Sequence, residues 1–422
     1  MANCFYSADI LLPRFREDKE KMNKWAVIAC DQYTSEPEYW NAVEKNVGDS
    51  ESALRVTLPE IYLEGETASR IKSINETMKD YEKSLFDTYE NAVIYLERTM
   101  DNGAVRHGII GKIDLEEYDY NKGATTLVRA TEGTVLSRIP PRVEIRRGAA
   151  IELPHVMMLI DDRDGSVIEP LEAKKACFET AYDFELMEKG GHVNGYFVDE
   201  QTQKEIFLAL EKLADIDEYN KKYGVNEKSP MLFAVGDGNH SLATAKALYE
   251  EIKTKLGDKA KDHPARFALV EIVNIHDAAL EFEPIYRVVF ETDTEKLISE
   301  FKKYAALDKG GINSFDIECI IGKESENVTV KNTKHELAVG ALQEFVDAYL
   351  AKNTGTVDYI HGIDSTRMLA SKENAIGFIF DGMGKNDLFK SVIVGGSLPR
   401  KTFSMGEAND KRYYLEARKI TE

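Results

Sequence analysis

Two patterns alternate along this chain. Short apolar runs are closed off by glycine, proline or polar residues, and longer stretches carry apolar positions every three or four residues. The clearest junction between them lies at 231–252. Met231, Leu232, Phe233, Ala234 and Val235 form an unbroken apolar run between Pro230 and Gly236, which predicts a buried strand. Leu242, Ala245, Leu248, Tyr249 and Ile252 share one helical face, which predicts an amphipathic helix from Ser241. Between the two stands the polar turn Gly236, Asp237, Gly238, Asn239, His240. A strand end that feeds a helix start is a place where backbone N–H groups and the positive end of the helix dipole can hold an anion.

The same patterns predict strands in WAVIAC (25–30), NAVIYLERT, VRHGIIGKIDL, TTLVRAT and HVMMLIDD, and helices from Pro37, over 66–86 and over 199–222. Thr34 or Ser35 is the expected N-cap of the helix at Pro37. FALVEIVNI and YRVVFETD predict a further strand pair. Beyond it lies a smaller α/β set: helices over 294–305, 335–352, 364–371 and 385–391, strands FDIECII, VDYIHGI and AIGFIFD, and a basic hairpin ending in KRYYLEAR. The irregular order predicts an α+β fold with mixed sheets rather than a regular βαβ alternation. Two parts are expected, a core over 1–290 and a C-terminal α/β lobe over 291–422.

Composition narrows the function classes. The 422 residues carry 54 basic and 74 acidic side chains, a net charge of −20. Such a surface repels phosphate backbones, so no nucleic-acid partner is expected. No apolar run approaches the ~20 residues of a membrane span, and the N-terminal residues lack a cationic segment followed by an apolar one, so a cytoplasmic protein without a membrane partner is expected. Self-association is left open. The four cysteines are far apart and form no CxxC pair, which disfavours a metal knuckle or disulfide framework. Against the acidic background, Arg129, Arg138, Arg142, Arg146 and Arg147 are a local concentration of cations. Arg142, Glu144 and Arg146 at period two predict one strand face, either a surface ion-pair ladder or a wall for a polyanion.

Two known phosphate motifs fail. The turn is no dinucleotide fingerprint, because Ser241 stands where G-x-G-x-x-G needs glycine. GGSLPRKT (395–402) imitates a P-loop but has Arg400 at the glycine position and Pro399 in the N–H nest. DDRDG (161–165) lacks calcium-loop spacing and is expected to be a turn.

The apolar strand followed by Asp237, Gly238, Asn239, His240 and Ser241 resembles the D-G-H-H-R hallmark of a bacterial and archaeal family known as domain of unknown function ten-fifteen. RHGIIGKIDLEEY (106–118) resembles that family's strand pair, and TEGT (131–134) stands at its H-E-x-T. FEPIYRVV, YIHGID and LPRKT resemble its P-x-H-R-V, F-V-H-G and M-P-x-K-S/T stretches. The family is similar in turn to ParB/sulfiredoxin-like nucleotide-binding proteins, among them free-serine kinases. The resemblance implies phosphates held by Gly236, Asp237, Gly238, Asn239, His240 and Ser241. It also implies ATP or ADP as cofactor and Mg²⁺ placed by Asp237 and Glu132. Two positions depart from the hallmark: Asn239 replaces its first histidine and Ser241 its arginine. Arg138, Arg142, Arg146 or Arg287 is then expected to supply the missing charge.

Each candidate also has a plainer explanation. Asp237 or Asn239 could simply cap the helix, and Glu132 could be an exposed turn carboxylate. Asp31 or Glu36 is a candidate general base, against which a helix cap is the plainer reading of each; Glu132 and His240 complete the catalytic candidates. Cys30 is a small buried residue in preference to a sulfiredoxin-like nucleophile, and His361 and Lys401 are structural or solvated. The function expected is a phosphotransferase from ATP or ADP to a small hydroxylated metabolite such as free serine. The alternative is a non-catalytic nucleotide or metabolite sensor. A DNA-binding partition protein is disfavoured by charge.

Overall fold

In the computed structural model, which describes residues 4–63, 67–134 and 139–421, the chain divides into two units. The first is Met1–Leu280 together with Glu407–Glu422, and the second is Glu281–Gly406. One boundary near 290 is expected from the sequence. The division falls instead at 280, and the C-terminal segment rejoins the first unit.

The first unit is built on a ten-stranded mixed sheet. Its strands run in the order Glu179–Glu185, His192–Phe197, Ile94–Thr99, Val105–Asp114, Phe267–Asn274, Met157–Ile160, Phe233–Asp237, Val128–Ala130, Tyr118–Asp119, with Phe5–Tyr6 beside Val105–Asp114. Alternation along the strands sorts side chains onto two cores, one on each face. Ile94 and Leu96 enter one cluster with Trp25 and Trp40, while Val93 and Tyr95 enter the other with Phe233 and Tyr249. Each apolar side chain buried in this way contributes roughly 1.5–3 kcal/mol.

The second unit is a six-stranded antiparallel sheet, ordered Glu324–Thr333, Asn313–Ile321, Ile376–Phe380, Phe282–Phe290, Thr356–His361, with Phe403–Met405 pairing on Phe282–Phe290. Phe301, Phe345 and Phe378 centre its own core.

Several expectations change. The 199–222 stretch is two helices, Glu200–Leu213 and Ile216–Tyr223, because Asp215 caps a new start by accepting the N–H groups of Asp217 and Glu218. The helix at Pro37 is present as Pro37–Val47, but its N-cap is Glu36, without a side-chain capping bond, rather than Thr34 or Ser35. The strand face at 142–146 is a helix, Ile139–Arg147, whose Ile139 and Val143 pack on Ala243 and Leu248. An i, i+4 apolar pair decided this segment over the period-two charges. The basic C-terminal hairpin is absent too. Tyr413–Tyr414 pairs with Val27–Ile28, and Arg418–Lys419 pairs with Ile151–Glu152.

Buried ion pairs hold that C-terminal segment in the first unit. Glu271, fully buried on strand Phe267–Asn274, takes Arg412 at 2.9 Å and Arg106 at 3.4 Å. Arg412 also meets buried Glu416 at 2.6 Å, and Arg418 meets Glu152 at 2.8 Å. The two arginines facing one another on neighbouring strands, Arg98 and Arg106, donate to the carbonyls of Asn409 and Asp410 at 3.0 and 3.1 Å. Removing one partner of such a pair strands the other charge out of water. Glu271→Ala is therefore expected to lower the unfolding free energy by about 3–5 kcal/mol, read by urea denaturation. A loss well under 1 kcal/mol would contradict this account.

Candidate functional site: the turn after strand Phe233–Asp237

The strand is buried because it has a neighbour on each side, antiparallel Met157–Ile160 and parallel Val128–Ala130, and a core on each face. It ends at Asp237, and Gly238 turns the chain into helix Asn239–Leu256. Glycine is needed there for two reasons. Its φ is +78°, and a Cβ would lie 3.0 Å from the Val156 Cα. Gly238 is the N-cap, so no capping side chain stands over the first turn, whose amides have no acceptor within the helix. The Asp237 carboxylate folds back to accept the Gly238 N–H at 2.8 Å instead of capping from the N-cap position.

The neighbouring parallel strand completes the rim. Ala130, the last residue of that strand, is in register with Val235, and Glu132 follows it by two residues. The Thr131 hydroxyl donates to the Val235 carbonyl at 2.7 Å. The Asn239 Nδ2 has only 3.5 Å approaches to Thr131 Oγ1 and Val235 O, and its buried Oδ1 has no hydrogen-bond partner. His240 and Ser241 occupy the first helical turn and are half-buried.

The side chains gathered beside this turn come from three distant stretches. Lys411, its side chain 14 % exposed, pairs with Asp237 at 3.4 Å. Tyr414 accepts the Cys30 N–H at 3.1 Å and lies 3.0 Å from His155 Nδ1. Asp31 follows Cys30 and takes the Gln32 side-chain amide at 3.0 Å. Burial opposes the Asp31 charge, but His155, the Gln32 amide and Lys411 together hold its carboxyl below the usual carboxylate range. Burial, with Asp31 and Glu60 nearby, pushes the Cys30 thiol up to about 12. Cys30 is thus a protonated thiol, in keeping with the bland expectation for it.

The arginine candidates among the described residues are engaged by protein partners. Arg142 pairs with Glu60, and Arg146 with the buried Glu152. Arg287 belongs to the second unit. There its fully buried guanidinium bonds Gln343 and the carbonyls of Ile285, Arg400 and Lys401, so backbone satisfaction accounts for it. Arg138 lies outside the described residues. Glu36 is exposed at the head of its helix. Among the described residues, no three His, Cys, Asp or Glu side chains gather as metal ligands. A magnesium ion carried in by phosphate needs only one or two carboxylates, and Asp237 and Glu132 are those the turn offers. Lys411, His155 and Tyr414 escaped the sequence reading. The trace of Lys411 and Tyr414 was the basic, aromatic run KRYY at 411–414, and that of His155 its place at the start of HVMMLIDD.

The family described as "Protein of unknown function (DUF1015)" matches residues 13–384. The chain belongs to that family. No curated protein matches the sequence. Among solved structures, a free serine kinase variant in complex with AMP is 11% identical, with a TM-score of 0.37, over 74% of this chain and 92% of that one. Another free serine kinase variant, in complex with ADP, is 12% identical with the same TM-score and the same coverages. SbnI with C-terminal truncation from Staphylococcus aureus is 10% identical, TM-score 0.37, over 74% and 87%. Among the described residues, no helix of this DUF1015 protein is long and apolar enough to cross a membrane.

Two predictions follow from the turn. Gly238→Ala forces a Cβ into the left-handed region and against Val156, and is expected to cost about 1–3 kcal/mol in thermal or urea unfolding; an unchanged midpoint would contradict the geometry. Asp31, with its folded-state pKa depressed, contributes stability that is present above the unfolded value (about 3.9) and lost as pH falls through the folded one. Asp31→Asn is thus expected to melt below the parent at pH 7, with the gap closing on acidification. A gap independent of pH would remove the electrostatic account.

Proposed function

We propose that the turn at 236–241 binds the phosphates of ATP or ADP, and that the protein transfers a phosphoryl group to a small hydroxylated metabolite such as free serine. The first unit then serves as a ParB/sulfiredoxin-like nucleotide-binding core in a cytoplasmic enzyme. The observation that carries this reading is the glycine-capped start of helix Asn239–Leu256, with Asp237, Lys411 and the ionised Asp31 around it. Amides at a helix start, with the dipole behind them, favour an anion. Phosphoryl transfer asks mainly for positioning and charge stabilisation, which a rigid turn supplies.

In this reading, Gly236, Gly238 and the amides of Asn239, His240 and Ser241 cradle phosphate oxygens. Mg²⁺ would be held by Asp237 and Glu132 together with the phosphates, and would neutralise charge on the transferring group. Asp31 accepts the hydroxyl proton as general base, a role its depressed pKa makes available at neutral pH.

Calorimetric titration with ATP, ADP and CTP in Mg²⁺ tests binding; heat with none of the three overturns the reading. Asp31→Asn is expected to bind nucleotide within a few-fold of the parent and to lose roughly 10²–10⁴-fold in transfer rate. Full transfer by that variant would remove Asp31 as the base. Ser241 in place of the family's arginine favours a second reading, a nucleotide sensor. Binding without turnover across a panel of hydroxylated amino acids and sugars selects it.

A further inference from the structure

At one edge of the ten-stranded sheet, strands Glu179–Glu185 and His192–Phe197 form an antiparallel hairpin in which Glu185 pairs with His192. Its turn is strained. Glu188 and Lys189 both have φ in the left-handed region, at +51° and +61°, and the Gly190 N–H closes the turn on the Met187 carbonyl at 3.0 Å. The C-terminal segment packs on that turn. The Tyr413 hydroxyl donates to the Met187 carbonyl at 2.9 Å, and a Cβ on Gly190 would lie 2.5 Å from the same hydroxyl. His192 stands at the base of the hairpin with a carboxylate at each ring nitrogen. Glu185 Oε1 is 2.8 Å from Nδ1, and Asp183 Oδ1 is 2.7 Å from Nε2. An ionised carboxylate only accepts, and a neutral imidazole has a single N–H, so only the charged ring satisfies both partners.

We propose that His192 is a pH-responsive latch: charged, it clasps Asp183 and Glu185 and holds the strained turn against Tyr413; neutral, it turns a lone pair towards one carboxylate and loosens that grip. Around the ring, Glu185 and Asp183 face it from the neighbouring strand, and Asn194 Oδ1, on its own strand, is 3.3 Å from Nε2. Lys19, on helix Lys19–Trp25, takes the other Asp183 oxygen at 2.7 Å. On the opposite side Thr99 pairs with His192. In the next row Glu97 and His107 are engaged by Lys175 at 2.6 Å and by Asp277 at 3.0 Å. Burial opposes the charge on the ring, but Glu185, Asp183 and Asn194 outweigh it and raise the His192 pKa above its ordinary value. His192 therefore contributes stability that is fully present below the unfolded value, about 6.5, and is lost as pH rises through the raised folded-state value. Both carboxylates are partly exposed, so salt weakens the clasp.

The test compares the full chain with His192→Asn and with the double variant Asp183→Asn, Glu185→Gln. Titration of the histidine rings by NMR is expected to place His192 above about 6.5 in the parent, and to bring it back towards that value in the double variant and in high salt. Amide exchange, corrected for the intrinsic rate, is then compared at about pH 6 and about pH 9, on either side of the transition. Protection of residues 186–191 and 411–414 is expected to be roughly 2–10-fold lower at the higher pH in the parent, and the same at both in His192→Asn. A ring that titrates at or below about 6.5, protection that is equal at both pH values, or a pH effect that His192→Asn retains overturns the proposal. A loss confined to 186–191, with 411–414 unchanged, overturns its reach to Tyr413.

Discussion

Glu271, fully enclosed on strand Phe267–Asn274 between Arg106 and Arg412, is the constraint on which the rest of the first unit depends. Enclosing such charges does not by itself stabilise a fold, since desolvation offsets most of the attraction. What it supplies is register. A shift of the C-terminal segment by one residue would remove Arg412 from Glu271, leaving Arg106 at 3.4 Å as that carboxylate's remaining partner, and would move Glu416 away from the Tyr182 hydroxyl. With Arg412 fixed, Lys411 falls at Asp237, and Tyr413–Tyr414 pairs with Val27–Ile28. That pairing puts the Tyr414 hydroxyl against the Cys30 N–H and His155, and Asp31 follows directly. One buried carboxylate thus sets the position of side chains drawn from the beginning, middle and end of the chain.

The protein as a whole is strongly acidic, yet the proposed function puts an anion at the turn. Range resolves the apparent conflict. At physiological ionic strength, exposed charges are screened beyond about 8 Å, so most of the surface carboxylates act weakly at the turn. A helix start contributes the equivalent of roughly half a positive charge, and the ammonium of Lys411 and the ring of His155 lie near. The arginines of 129–147 contribute less than their number suggests, since Arg142, Arg146 and Arg147 each face a carboxylate. Abundance of a charge along the sequence is a poor guide to charge left over after pairing.

The turn was legible because its signals are local. An apolar run, a glycine that only a left-handed residue can replace, and a helical stripe lie within about twenty residues, inside the reach of periodicity. Local signals also misled. At 139–147 the charges repeat at two while the apolar pair repeats at four, and packing on Ala243 and Leu248 chose the helix. Strand Glu324–Thr333 went unread because it is a polar edge, with Val328 and Val330 its main buried apolar residues. Lys411 could not be read at all. Nothing local separates it from other lysines, and its place is fixed by a tertiary ion-pair register that a single sequence does not display.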